Sequence, residues 1–160
     1  MQAADPTRPP NRVPWPPLIY LLAALVALGL GCAWPRPDWP VAEVLSGLGW
    51  LVLAAGGGLD LWAMATMRRH RANILPHRAA TALVTTGPFA WSRNPIYLGN
   101  TLMLIGFGLV LRNPWFLPAA AAAAVAVTHL AIRREEAHLE ILFGPSWLAY
   151  RQRTARWFGR

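Results

Sequence analysis

A chain of 160 residues has the length of one domain, yet 55% of it is hydrophobic and only 14% charged, against roughly 25% charged in ordinary soluble domains. It lacks the polar surface to cover a water-soluble globule, which excludes that class and points to a membrane protein. The net charge of +8 comes from 15 basic residues, all arginine, against 7 acidic ones; they fall between apolar runs rather than along one polar face, which suits anionic lipid headgroups and not a nucleic-acid groove.

Residues 1–16 form a proline-rich tail carrying Arg8 and Arg12, predicted to be disordered or to lie on the membrane surface. Residues 17–74 are predicted to be N-terminal membrane helices. Crossing about 30 Å of hydrocarbon takes roughly 20 helical residues, fewer when flanking side chains snorkel. The first span is predicted from about Pro17 to Trp34 and the second from about Val44 to Met67, interrupted by Asp60. A signal peptide is the rival reading of the first span. The long proline-rich tail ahead of it argues against cleavage, and Gly29-Leu30-Gly31-Cys32 lacks the apolar first position of a lipobox. Cys32 is the sole cysteine, so no intrachain disulfide and no multi-cysteine metal cage can form.

The stretch from Arg68 to Pro95 has no long apolar run and exceeds what a connection needs, so it is a candidate for function. A third span follows from about Pro95 to Leu111 and a fourth from about Trp115 to Ile132. Only Arg112-Asn113-Pro114 joins them, which forces an antiparallel hairpin. Arginine-rich short loops stay cytoplasmic. Thirteen arginines fall in the N-terminal tail, the loop after the second span and the C-terminal tail, against Arg36 and Arg112 on the other face. Both termini are therefore expected in the cytoplasm. The predicted fold is all-α: an integral membrane bundle of about four transmembrane helices, closed by a C-terminal helix on the cytoplasmic interface. In that last helix Ser146 is the expected cap, Trp147, Leu148, Ala155, Trp157 and Phe158 give apolar bulk, and Arg151, Arg153, Arg156 and Arg160 meet headgroups; a lid or cofactor wall and a membrane anchor both account for it.

Asp60 within a span needs a partner or water. A buried polar site and a carboxylate bonded to a neighbouring helix both account for it. Gly56-Gly57-Gly58 beside it would let another backbone approach, and with no preceding strand it is not a phosphate loop. Ahead of the third span, Leu83 to Tyr97 combines a turn at Gly87-Pro88, the aromatics Phe89 and Trp91, the guanidinium of Arg93, and Asn94 as N-cap before Pro95. An interfacial belt of aromatics and arginines would have the same composition. Behind the fourth span lies Arg133-Arg134-Glu135-Glu136-Ala137-His138-Leu139-Glu140. Adjacent glutamates on a helix point about 100° apart, so one is expected to face the bundle and the other solvent or an arginine; a surface pair of Glu136 with Arg133 is the plain alternative. His70, His77, His129 and His138 make no metal-ligand spacing, and no bound metal is expected. No nucleophile motif supports hydrolysis.

Two segments taken together, Leu83-Val84-x-x-Gly87-Pro88-Phe89-x-x-x-Arg93-Asn94-Pro95-x-Tyr97 and Glu135-Glu136-x-x-Leu139-x-x-x-Phe143-Gly144-x-x-Trp147-x-x-Tyr150, resemble the isoprenylcysteine carboxyl methyltransferase family and its relatives, the phospholipid N-methyltransferases. The resemblance covers about residues 75–158, within a region 75–160 that it marks as a methyltransferase core. It implies a cytoplasmic half that encloses S-adenosylmethionine and a lipophilic or lipid acceptor arriving from the bilayer. Carried over by position, it implies that Leu83, Val84, Gly87 and Phe89 line the cofactor pocket, that Asn94 and Tyr97 stand beside the cofactor with Arg93, and that Glu135 and Glu136 hold its amino group and orient the acceptor. Arg93 and Glu136 are the implied catalytic pair. The chain departs from the family at Trp147, often Tyr, and at Thr154-Ala155-Arg156, commonly Val-Pro-Arg, which bears on the C-terminal wall. A membrane reductase using NADPH on a related helical core and a non-enzymatic membrane scaffold are the alternatives. Neither the acceptor nor the oligomeric state is legible.

Overall fold

The computed structural model describes residues 15–34, 42–73 and 81–159. Most of the proline-rich tail, with Arg8 and Arg12, lies outside the described residues, as do Arg36, His77, Arg78 and Arg160.

The elements are α1 (Trp15–Ala33), α2 (Ala42–Arg69), a 3-10 turn (Gly87–Ala90), α3 (Pro95–Val110), α4 (Phe116–Val127), a π turn (Thr128–Ile132), α5 (Arg133–Phe143) and α6 (Pro145–Arg153). Prolines open α1, α3 and α6, where the missing N–H costs nothing because first-turn donors have no partner within the helix. Among the described residues three stretches are long and apolar enough to cross a membrane: α1, α2, and the continuous helix Phe116–Phe143 that joins α4, the π turn and α5. The expected third span is a shorter apolar helix of 16 residues, about 24 Å of rise. The expected fourth span does not stop near Ile132 but continues through the π turn into the polar α5.

α3 touches α1, α2 and α4, and α1 packs on α4. Between α2 and α3 the backbones approach closely: a Cβ on Gly56 would lie 2.7 Å from the Gly99 carbonyl oxygen, and one on Gly99 would collide with the Asp60 carboxylate. Asp60 is therefore a packing neighbour of α3, 9% exposed, with its Oδ1 buried and making no hydrogen bond. Gly57 and Gly58 face open space, so of the three glycines Gly56 makes the helix contact. Gly99→Ala should loosen this seam by about 1–3 kcal/mol, the usual cost of overpacking, read as a lower thermal aggregation midpoint in detergent.

The core runs through Tyr20, Ala27, Tyr97, Leu104, Phe116, Ala120, Ala123, Val127 and Ile132. Leu21, Leu22 and Leu25 of α1, Trp50, Leu51 and Leu61 of α2 and Val125 of α4 point outward and exposed, the surface that lipid covers. At one end of the bundle, Asn113 in the α3–α4 connection is buried and donates from Nδ2 to the Ala27 carbonyl at 2.8 Å, while its Oδ1 accepts from the Trp115 N–H at 3.1 Å. The tight hairpin is thus tied to α1. The opposite end gathers the start of α1, the end of α2, the start of α3 and all of α5 and α6, and there the bundle opens.

Candidate active site

A cavity of about 380 Å³ lies at that end, within the 300–1,000 Å³ of small-molecule sites. Its wall comes from both sequence motifs and from the N-terminal helices: Leu83, Val84, Phe89, Arg93, Asn94 and Tyr97 from ahead of and within α3, Glu135, Glu136, His138 and Leu139 from α5, Trp147 and Tyr150 from α6, Pro16, Pro17 and Met67 from α1 and α2, and Ala72 and Asn73 just beyond α2. Gly87 is the one expected cofactor-lining residue outside this wall. Its φ is +61°, and it sits against Thr66 and Trp62 at the end of α2, where it turns the chain so that Phe89 can face inward.

The π turn explains how α5 presents its polar face. A π turn holds one residue more than an α turn, so the helix beyond it is rotated by about 100°. Thr128 supports it with a 2.7 Å hydrogen bond from Oγ1 to the Ala124 carbonyl. As expected of adjacent positions, one glutamate meets the bundle and the other an arginine, yet Glu135 and Glu136 both line the cavity. Adjacent positions can do so because the cavity wraps around α5, with α3 on one side and the C-terminal segment on the other.

Glu135 Oε1 accepts a 2.8 Å hydrogen bond from the Tyr97 hydroxyl. The Tyr97 carbonyl in turn accepts from the Tyr20 hydroxyl at 2.8 Å, which ties α1, α3 and α5 together under the cavity. Glu136 does not pair with Arg133. It is held by Arg156, whose Nε and Nη2 donate to the two carboxylate oxygens at 3.0 and 2.6 Å, a bidentate geometry that fixes both position and orientation. Arg93 Nη1 lies 3.1 Å from Glu136 Oε1, but its N–H misses the carboxylate, so Arg93 Nε and Nη1 are buried without a hydrogen-bond acceptor. The guanidinium sits 5.7 Å from the centroid of the Trp147 ring, whose Nε1 is also buried and unpartnered. Burial pushes the Arg93 pKa down while Glu136 opposes that shift. The hydrogen bonds to Glu136 are the main reason the Arg156 pKa is raised.

The C-terminal segment departs from the expected interfacial helix. α6 starts at Pro145 after Gly144, not at a Ser146 cap, and ends at Arg153. Trp147 and Tyr150 are buried, and Tyr150 donates to the Phe89 carbonyl at 2.6 Å, which holds α6 against the 3-10 turn. Residues 154–159 then fold back as a strap. Ala155 accepts from the Arg93 N–H at 3.0 Å and Gly159 donates to the Trp91 carbonyl at 3.1 Å. Asn94 caps nothing with its side chain; it donates instead to the Arg156 carbonyl at 3.0 Å.

Arg156, expected at headgroups, and His138, expected only to form no metal site, both stand at the site, and Trp147 fits the cofactor-wall reading of its helix. Arg156 lies 20 residues from Glu136, too far for a helical spacing rule, and only the arginine kept in Thr154-Ala155-Arg156 hinted at it. Among the described residues no group of His, Cys, Asp or Glu is placed to hold a metal ion.

Fold and site together define a helical integral membrane protein with a two-signed polar cavity at one end of its bundle. The family model for phospholipid methyltransferase matches residues 44–146, and the chain belongs to that family. It is 29% identical over 120 residues to a protein-S-isoprenylcysteine O-methyltransferase of Xenopus laevis, covering 74% of this chain and 42% of that protein. It is 36% identical over 72 residues to the protein of the same name from Tribolium castaneum, covering 45% and 26%. A nickel-cobalt-cadmium resistance protein, NccN, of Alcaligenes xylosoxydans xylosoxydans is 36% identical over 83 residues, covering 52% and 38%. The chain thus spans less than half the length of each of these relatives.

Proposed function

We propose that this protein is an integral membrane methyltransferase that uses S-adenosylmethionine and acts on a lipophilic acceptor at the cytoplasmic membrane face. The observation that carries the reading is the meeting of the two separated motifs on one cavity wall where buried donors, Arg93 Nε and Nη1 and Trp147 Nε1, make no hydrogen bond. An amino acid-bearing sulfonium compound offers a carboxylate for such donors and an ammonium for a carboxylate, so the residues fit it. Arg93 and Trp147 would hold the carboxylate, Glu135 would take the amino group, and Leu83, Val84 and Phe89 would pack the base. Glu136, locked by Arg156, keeps Arg93 in place.

When bound, S-adenosylmethionine supplies a methyl group already activated on a sulfonium. The protein's own task is then to exclude water and to align the acceptor in line with that methyl, which is mainly positioning. The end of the bundle that opens also carries Arg68, Arg69, Arg93, Arg133, Arg134, Arg151, Arg153 and Arg156, the arginine-rich side that faces the cytoplasm by the loop-charge rule. Pro16, Pro17 and Met67 at the cavity wall give an apolar approach for a lipid-borne acceptor.

In detergent, S-adenosylhomocysteine should raise the thermal midpoint of the wild type, and labelled methyl should pass from S-adenosylmethionine into a lipid extract of the host. Arg93→Ala should lose the stabilisation by at least about tenfold in ligand affinity, the loss of a charge-assisted contact. Stabilisation by NADPH alone would move the assignment to reduction, and stabilisation by neither compound would move it to a scaffold.

A further inference from the structure

His138 has no role in the cofactor site described above, yet it lines the same cavity. It is 8% exposed, and its Nε2 is buried with no hydrogen-bond partner. It stands three residues beyond Glu135 on α5, and therefore near the same helix face. A buried imidazole nitrogen left without a partner costs stability, which a bound group can recover.

The other titratable or charged groups around the cavity are committed elsewhere. On the same helix, Glu135 accepts from Tyr97 of α3 and Glu136 is held by Arg156 beyond α6 and flanked by Arg93 ahead of α3. Tyr150 of α6 donates to a backbone carbonyl. An arginine is a proton donor only, Glu136 has both carboxylate oxygens taken by Arg156, and Glu135 is assigned to the cofactor's amino group. That leaves His138 as the described cavity-lining group with a lone pair to offer: burial lowers its pKa and so keeps the imidazole neutral and able to accept a proton.

Resting on the methyl-transfer reading, we infer that His138 Nε2 is the proton acceptor for the methylated atom, and that the acceptor carries a dissociable proton there, as an amine, thiol or phenol does and a carboxylate does not. In the step, X–H gives its proton to Nε2 and the freed pair on X bonds the methyl carbon. The methyl–sulfur bond breaks with its pair left on sulfur, which becomes a neutral thioether. The imidazolium returns its proton to water after the product leaves. The preference separates this chain from relatives named for O-methylation of isoprenylcysteine.

The test compares wild type with His138→Gln and His138→Ala on four lipophilic probes, dodecylamine, decanethiol, 4-octylphenol and palmitate, with thermal stabilisation by S-adenosylhomocysteine measured in parallel. Wild type should methylate at least one of the first three and not palmitate. Both variants should keep the stabilisation but fall about 100-fold in turnover, the usual weight of a general base. Free imidazole should restore part of the His138→Ala rate, which a packing role would not allow. Methylation of palmitate overturns the inference, and so does undiminished turnover in His138→Gln, loss of S-adenosylhomocysteine stabilisation in the variants, or methylation of none of the three proton-bearing probes by a wild type that S-adenosylhomocysteine stabilises. A wild type that S-adenosylhomocysteine does not stabilise refutes the methyl-transfer reading itself, and His138 with it.

Discussion

Deletion of His129 is expected to lower methyl transfer by at least about 100-fold while leaving the bundle inserted and folded. His129 is an exposed residue within the π turn Thr128–Ile132. Removing one residue from a π turn restores α geometry and turns the helix beyond it back by about 100°. Glu135, Glu136 and His138 would then swing away from the cavity they line, and the bidentate Arg156–Glu136 pair would separate. Displacement of positioned groups by even about 1 Å commonly costs 100-fold in rate, and this displacement is larger. His129→Ala keeps the residue count, so its rate should stay within about twofold of wild type, because an exposed side chain away from the site contributes little. Labelled methyl incorporation and stabilisation by S-adenosylhomocysteine read both variants. A deletion variant with wild-type turnover would show that the π turn does not aim α5.

The same turn marks where sequence reading reached its limit. Apolar runs and arginine placement locate helices well because a span is a compositional object: Pro95 and the Arg112-Asn113-Pro114 break bound α3 to within a residue of where it lies. The two polar segments were legible as parts of one site through their resemblance to a known pair of motifs. What periodicity cannot supply is a phase slip. With a uniform 100° per residue carried from α4, the face that α5 turns toward the bundle is misplaced, and nothing in Thr128-His129-Leu130-Ala131-Ile132 announces a π turn. Nor can hydropathy tell a tryptophan on a membrane surface from Trp147, 1% exposed in the site wall. Arg156 eluded the reading for a related reason, since its partner Glu136 is reached only after the chain reverses at Gly144, where φ is +48°.

Glu136→Ala should be the most destabilising single truncation at the site, by about 2–3 kcal/mol. The carboxylate is 12% exposed and stands between Arg93, at 9%, and Arg156, at 36%. Breaking a fully buried ion pair by removing one partner costs about 3–5 kcal/mol, because the other charge stays buried and uncompensated. The partial exposure of Arg156 lets water screen that side and lowers the figure. Without Glu136 the two guanidiniums face each other, and the group that opposes the burial-driven fall of the Arg93 pKa is gone. The strap of residues 154–159 should then detach, because its side-chain anchor is Arg156 while its remaining ties are single hydrogen bonds such as Arg93 N–H to Ala155. Arg156→Ala should cost less, about 1 kcal/mol, since it removes the more exposed partner and leaves Arg93 beside Glu136. Arg156→Lys keeps the charge but forfeits the two-point hold, so it should resemble Arg156→Ala more than wild type. Chemical denaturation in mild detergent, with hydrogen exchange at residues 154–159 as the local reading, orders these variants. If Glu136→Ala proved no less stable than Arg156→Ala, the carboxylate would not be what holds Arg93 and the strap against the cavity.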